Sequence, residues 1–98
     1  MIPESLEFEW DENKSKKLKE KRGKSFEDIL HYIQRGNVVS IQKRFNQKRY
    51  PGQLIIVLNI DGYPWVVPCE LRGNKLRLIT AYPSRKFKNL LKGKLDEK

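Results

Sequence analysis

One histidine and one cysteine among 98 residues leave this chain short of the side chains from which most metal and nucleophilic sites are built. A lone Cys69 closes no intramolecular disulfide and supplies no zinc-ligand set. It reads instead as a small buried hydrophobe in a strand. A single histidine, His31, also excludes acid–base work by a histidine pair, and no serine–histidine–aspartate set or nucleotide-binding glycine loop is present. Long apolar runs are missing too. The longest, residues 54–58, is far too short to span a bilayer, and residues 1–7 lack the basic and apolar regions of a secretion signal. The expectation is a cytoplasmic protein with no membrane partner, no metal and no cofactor.

Acidic charge is in the minority. Asp and Glu number 12 against 21 Lys and Arg, a formal net charge of +9, and the pI is near 9.8. Such an excess on a small body creates a positive field that attracts polyanions. It implies a nucleic-acid ligand or an acidic protein partner rather than a neutral small molecule. Apolar residues make up 38%, enough for one modest core, so residues 1–98 read as a single domain.

Leu6, Phe8 and Trp10 alternate with acidic residues, a short strand or extended lead-in with those three on one side. Asp11 follows as an N-cap with Glu12 in the first turn, where the helix dipole favours it. The predicted helix over 12–22 stops at Gly23. Lys14, Lys16, Lys17, Lys19, Lys21 and Arg22 surround one aliphatic residue, Leu18, so burial must rest on Leu18 and the lysine stems. This charge run is either a solvated face or a surface for nucleic acid or an acidic partner. Ser25 and Asp28 form a variant capping box for a second helix. Phe26, Ile29, Leu30 and Ile33 make its core stripe, His31 lies off that stripe, and Gly36 and Asn37 end it.

Residues 38–41 predict a short strand, followed by a polar loop over 42–52. In it Lys43, Arg44, Lys48 and Arg49 mix with Phe45 and Tyr50, a combination that can hold phosphates while stacking bases. Residues 53–60 are apolar on both faces, as in a central strand covered on both sides. The two short helices leave little to cover the second face, which implies closure by a partner or substrate. Asp61 and Gly62 make a tight hairpin signal into the strand 63–70. That strand carries a conflict, because Pro64 and Pro68 lie on one face with both missing N–H groups toward one neighbour. It is either bulged or incompletely paired. The last strand follows, with Leu76, Leu78 and Thr80 alternating with Lys75, Arg77 and Ile79. Pro83 opens a final helix over 84–91, ahead of a frayed tail. The predicted architecture is α+β: two N-terminal helices, a four-stranded antiparallel sheet and a C-terminal helix.

The last strand delivers Ser84, Arg85 and Lys86 to a helix N-terminus, an arrangement suited to phosphate. Arg72, Arg77, Arg85 and Lys86, with Tyr50, Tyr63 or Tyr82 nearby, form a cationic set. It could bind RNA phosphate and stabilise the pentacovalent anion formed when a 2′-OH attacks. A lysine, a tyrosine or a carboxylate such as Glu70 could move the protons. The candidate catalytic residues are therefore Arg77, Arg85, Lys86 and Glu70. The candidate RNA-binding residues are Lys14, Lys17, Lys21, Arg22, Lys43, Arg44, Arg49, Tyr50, Arg72 and Tyr82. Phosphate binding without cleavage is equally compatible with this set.

The run Phe8-Glu9-Trp10-Asp11-Glu12-Asn13-Lys14, followed by Gly23-Lys24-Ser25-Phe26-Glu27-Asp28, resembles the N-terminal signature of BrnT-type toxins. These are small ribonucleases of toxin–antitoxin modules with a RelE-like fold. The resemblance implies metal-independent RNA cleavage that inhibits translation. It also implies a cognate antitoxin of ribbon-helix-helix type, through which alone promoter DNA would be bound. On this likeness Arg77 and Arg85 carry over as functional arginines. The chain departs from the pattern at Arg22, where members often carry histidine, and over 78–82, where an "ISAR"-like run is usual. It is similar instead to a divergent branch.

Overall fold

In the structure, a computed structural model, residues 7–44, 47–49 and 51–89 are described. Helix α1 spans Glu12–Arg22 and α2 spans Phe26–Gln34. Asp11 caps α1: its side chain accepts hydrogen bonds from the Asn13 and Lys14 amides at 2.8 and 3.2 Å. Gly23 ends the helix in the left-handed region at φ 79°, donating its N–H to Lys19 O. Only Ser15 and Leu18 of α1 are buried. The capping box of α2 is complete, with Ser25 Oγ accepting from the Asp28 amide and Asp28 Oδ2 accepting from the Ser25 amide. Its stripe buries Phe26, Ile29 and Ile33, while Leu30 is half-buried and His31 is exposed.

The sheet holds six strands: β1 (Glu7–Glu9), β2 (Val38–Lys43), β3 (Gln53–Ile60), β4 (Tyr63–Arg72), β5 (Lys75–Leu78) and β6 (Tyr82–Pro83). Their order is β1-β5-β4-β3-β2, with β6 also on β4. This corrects the predicted four-stranded antiparallel sheet with a third helix. β1 is a true strand and pairs parallel to β5, so the sheet is mixed. The physical reason is Phe8, whose place opposite Leu76 buries it against the core and pulls its acidic neighbours onto Lys75 and Arg77. The predicted helix over 84–91 begins, among the described residues, as a 3-10 turn at Arg85–Phe87 followed by helical Lys88 and Asn89, and Ser84 does not cap it with its side chain. Residues from Leu90 on lie outside the described part. Among the described residues no helix is long and apolar enough to cross a membrane.

The proline conflict in β4 is resolved by its neighbour. Pro68 O accepts from the Ile79 amide at 2.9 Å and Pro64 O from the Ser84 amide at 3.0 Å. Both residues therefore turn their donor-less side toward the strand that returns after β5. Pairing lapses where Pro68 offers no N–H to the Ile79 carbonyl. Between the Ile79 and Tyr82 contacts the returning strand has two residues, Thr80 and Ala81, where β4 has only Val67. β5 and β6 are thus one strand broken by a bulge.

The helices cover the face carrying Ile56, Leu58, Ile60, Trp65, Val67, Cys69, Leu76 and Leu78, and these join Leu18, Phe26, Ile29 and Ile33 in one core. On the opposite face Val57 and Val66 are 0% and 1% exposed, and Pro64 is equally buried. β6 pairs with β4 at its edge, and the 3-10 turn that follows also packs on β4. The chain itself closes the second face at these positions, while Ile55 and Ile79 on that face are half-buried.

Candidate functional site

The bulge and the first helix together form a groove. Lys14, Lys17, Leu18 and Lys21 recur at helical spacing and so share one side of α1. With Arg22, Phe26, Ile79 and Thr80 they line a cleft of about 300 Å³. The four candidate RNA-binding cations of this helix stand around it, while Lys16 and Lys19 do not line it. Its lining pairs apolar Leu18, Phe26 and Ile79 with a cationic rim. Lys14 to Lys21 runs about 10 Å along the helix axis at about 1.5 Å per residue. The apolar and edge components, Leu18, Phe26, Ile79 and Thr80, are absent from the sequence-derived site. For Ile79 and Thr80 the proline pair in β4 is the signal, although it reads in the sequence as a bulge or incomplete pairing of β4 itself.

The predicted catalytic set is not brought together. Glu70 and Arg77 are cross-strand partners on the face away from the helices. Arg77 Nη1 also lies 3.7 Å from Glu9 Oε2, and Arg72 Nη2 lies 2.9 Å from Glu70 Oε1. Each of these arginines already faces a carboxylate. Arg85 and Lys86 follow Ser84, whose amide bonds Pro64 at the other end of β4. Glu70 lies six positions beyond Pro64 in β4, so the two groups stand about 20 Å apart along the strand. The phosphate corner expected at 84–86 has exposed cations, but they stand on a 3-10 turn that lacks a side-chain cap.

The remaining candidates scatter. Lys43 is exposed at the end of β2. Arg44 is half-buried, with Nη1 donating to Gln53 Oε1 at 3.2 Å, and Arg49 is exposed in the adjoining turn. Tyr50 lies outside the described residues. Tyr82 is half-buried opposite Val66. Cys69 is fully buried, and burial pushes its thiol up to about 12.

The residues that carry the BrnT resemblance have structural duties here. Asp11 caps α1, Trp10 packs its ring 6.1 Å from that of Phe26, and Ser25 and Asp28 form the capping box. Asp11, Trp10, Ser25 and Asp28 serve the scaffold, while Lys14 of the same run lies on the groove. No protein-family model, no curated protein and no solved structure compared with the chain matches it.

Proposed function

We propose that this chain is the RNA-binding toxin component of a toxin–antitoxin module, of the BrnT type its N-terminal motifs resemble, and that it holds RNA along the α1 groove. The observation that carries the reading is the convergence of Lys14, Lys17, Lys21 and Arg22 on one apolar-lined cleft. Cations placed beside apolar surface suit a single strand, whose phosphates and bases present both chemistries at once. The net charge of +9 adds long-range attraction. On this reading the protein acts in the cytoplasm, inhibits translation, and has an antitoxin as its protein partner.

A second reading, metal-independent cleavage, is favoured by the Glu70–Arg77 pair. There a carboxylate lies across the strands from one arginine and is bonded to another, Arg72. That grouping supplies a base and anion-stabilising cations within one patch.

Fluorescence anisotropy with a labelled single-stranded RNA tests the first reading. Lys17→Glu should weaken binding and reduce the salt slope by about 0.7 or more, one lost phosphate contact, with the melting temperature unchanged. Unaltered binding by that variant refutes the groove. Incubating RNA with the protein in EDTA tests the second. Cleavage abolished by Arg77→Ala supports it, and intact RNA at every protein concentration, with ribosomes present as well as absent, removes it.

A further inference from the structure

At the edge of the sheet farthest from the groove lies β2, and among the described residues no strand pairs with its outer side. Arg44 gives its amide to Gln53 O at 2.9 Å, and alternation from there turns the peptide groups of Gln42 and Ser40 toward β3. The N–H and C=O groups of Ile41 and Lys43 therefore point outward. Natural edge strands are commonly guarded by charge, lysine above all. This edge has little such protection. In a chain that is 34% charged, residues 36–42 hold no charged side chain, and Lys43 stands alone at the end of the strand.

Apolar surface lies along the same edge. Ile41 is the cross-strand partner of the core residue Ile56, so its side chain is on the helix-covered face, yet it is 38% exposed. Asp28 of α2 meets Lys19 of α1 at 3.2 Å. Leu30, two positions on, lies on the opposite flank of α2, turned away from α1. Because α2 passes through residues 35–37 straight into β2, that flank is on the β2 side. The sequence assigns Leu30 to the core stripe, but the fold leaves it half-buried.

We infer that a second copy of this chain covers this edge, with β2 pairing antiparallel to its counterpart about a two-fold axis at Ile41, so that the two sheets become one. A two-fold axis brings the same outward groups together from both copies, and Ile41 meets Ile41 with both main-chain hydrogen bonds made. In this register Ser40 faces Gln42 of the second copy. These side chains already suit one another within one chain, where Gln42 Nε2 donates to Ser40 Oγ at 3.1 Å. Lys43 faces Val39, so no cation opposes a cation. The bulge between Val38 and Ser40 confines regular pairing to the few residues around Ile41, which holds the register. The axis also sets Leu30 of both copies on the same face as the two Ile41 side chains. An acidic partner would find one lysine along β2, whereas an uncharged strand suits another uncharged strand, and the protein itself offers one. The interface is short, so the dimer is transient. A charge of +9 on each copy opposes it, so association strengthens as salt screens the repulsion, the reverse of polyanion binding.

Sedimentation equilibrium of the nucleic-acid-free chain tests this over about 1–1,000 μM, the range of small transient interfaces. The mass should rise from 11.7 kDa toward twice that value, and further at higher salt. Ile41→Lys should weaken dimerisation about tenfold or more, by setting like charges against one another at the axis. Ile41→Pro removes an outward N–H that β3 does not use and should have the same effect. Circular dichroism melting near that of the parent shows that both variants fold. Amide exchange of the unaltered chain supplies a readout free of substitutions. It should slow at Ile41 and Lys43 with rising concentration and stay constant at Ser40 and Gln42, which bond to β3. A chain that stays monomeric over the whole range overturns the inference. So does a dimer that survives both substitutions or that salt dissociates, and so does exchange at Ile41 that ignores concentration.

Discussion

Ser15→Ala removes a buried side-chain acceptor that ties the two helices together. Ser15 is 3% exposed, and its Oγ accepts the Phe26 amide at 2.9 Å. Phe26 opens α2, so its amide has no intrahelical partner, and at 1% exposure it has no water either. Leaving a buried donor unpaired costs about 1–3 kcal/mol. Alanine's better helix propensity returns about 0.5 kcal/mol in the middle of α1. The net expectation is a loss of about 0.5–2.5 kcal/mol, which in a domain of this length lowers the melting temperature by about 2–20 °C. Urea unfolding followed by circular dichroism would report it as a lower midpoint with an unchanged slope. Lys16→Ala, on the exposed neighbouring residue, should stay within about 0.5 kcal/mol of the parent. A Ser15→Ala protein as stable as the parent would refute the argument, because it would mean the Phe26 amide finds another acceptor.

Three further outcomes follow from the same packing. Ile56→Asp places an unpaired carboxylate at a 0% exposed site between helices and sheet, and should abolish cooperative unfolding. Asp28 has its carboxyl held below the ordinary 3.8, first by the Ser25 amide and also by Lys19. A carboxylate with a lowered folded value stabilises above its unfolded pKa, and the stability is lost as pH falls through the folded value. Acid titration should therefore show a loss of stability below about pH 4 that is reduced in Asp28→Asn. Cys69, with its thiol pushed up to about 12 by burial, should resist a thiol-specific reagent at neutral pH and react at the rate of unfolding. Fast labelling of the native protein would contradict the burial.

Local signals carried much of the fold. Asp11, Gly23, Ser25 and Asp28 mark the ends of both helices because capping is decided within a few residues. Asp61 and Gly62, both at positive φ, likewise mark the hairpin between β3 and β4. What could not be read was pairing at a distance. Whether residues 7–9 join a sheet depends on Leu76, nearly seventy positions later in the chain. The predicted catalytic set failed to assemble for a similar reason: Arg77 and Arg85 are near in sequence, but the strand between them runs the length of β4. The helix cations did assemble, because Lys14, Lys17 and Lys21 share a helical side whatever the sheet does.

The bulge opposite Val67 also fixes where the chain can lose a residue. Thr80 and Ala81 stand where β4 has only Val67, and this extra residue sets which side chains after it face the helices. Ala81 enters the core and Tyr82 lies opposite Val66, on the other face. Deleting Thr80 removes the surplus and keeps Tyr82 opposite Val66, so a folded protein with a narrowed groove is expected by circular dichroism. Deleting Arg77 instead shifts Leu78 out of phase with Leu76 and turns it to the wrong face. In a deletion scan, position 80 should stand out as the tolerant point of a strand that is otherwise intolerant of any change in length.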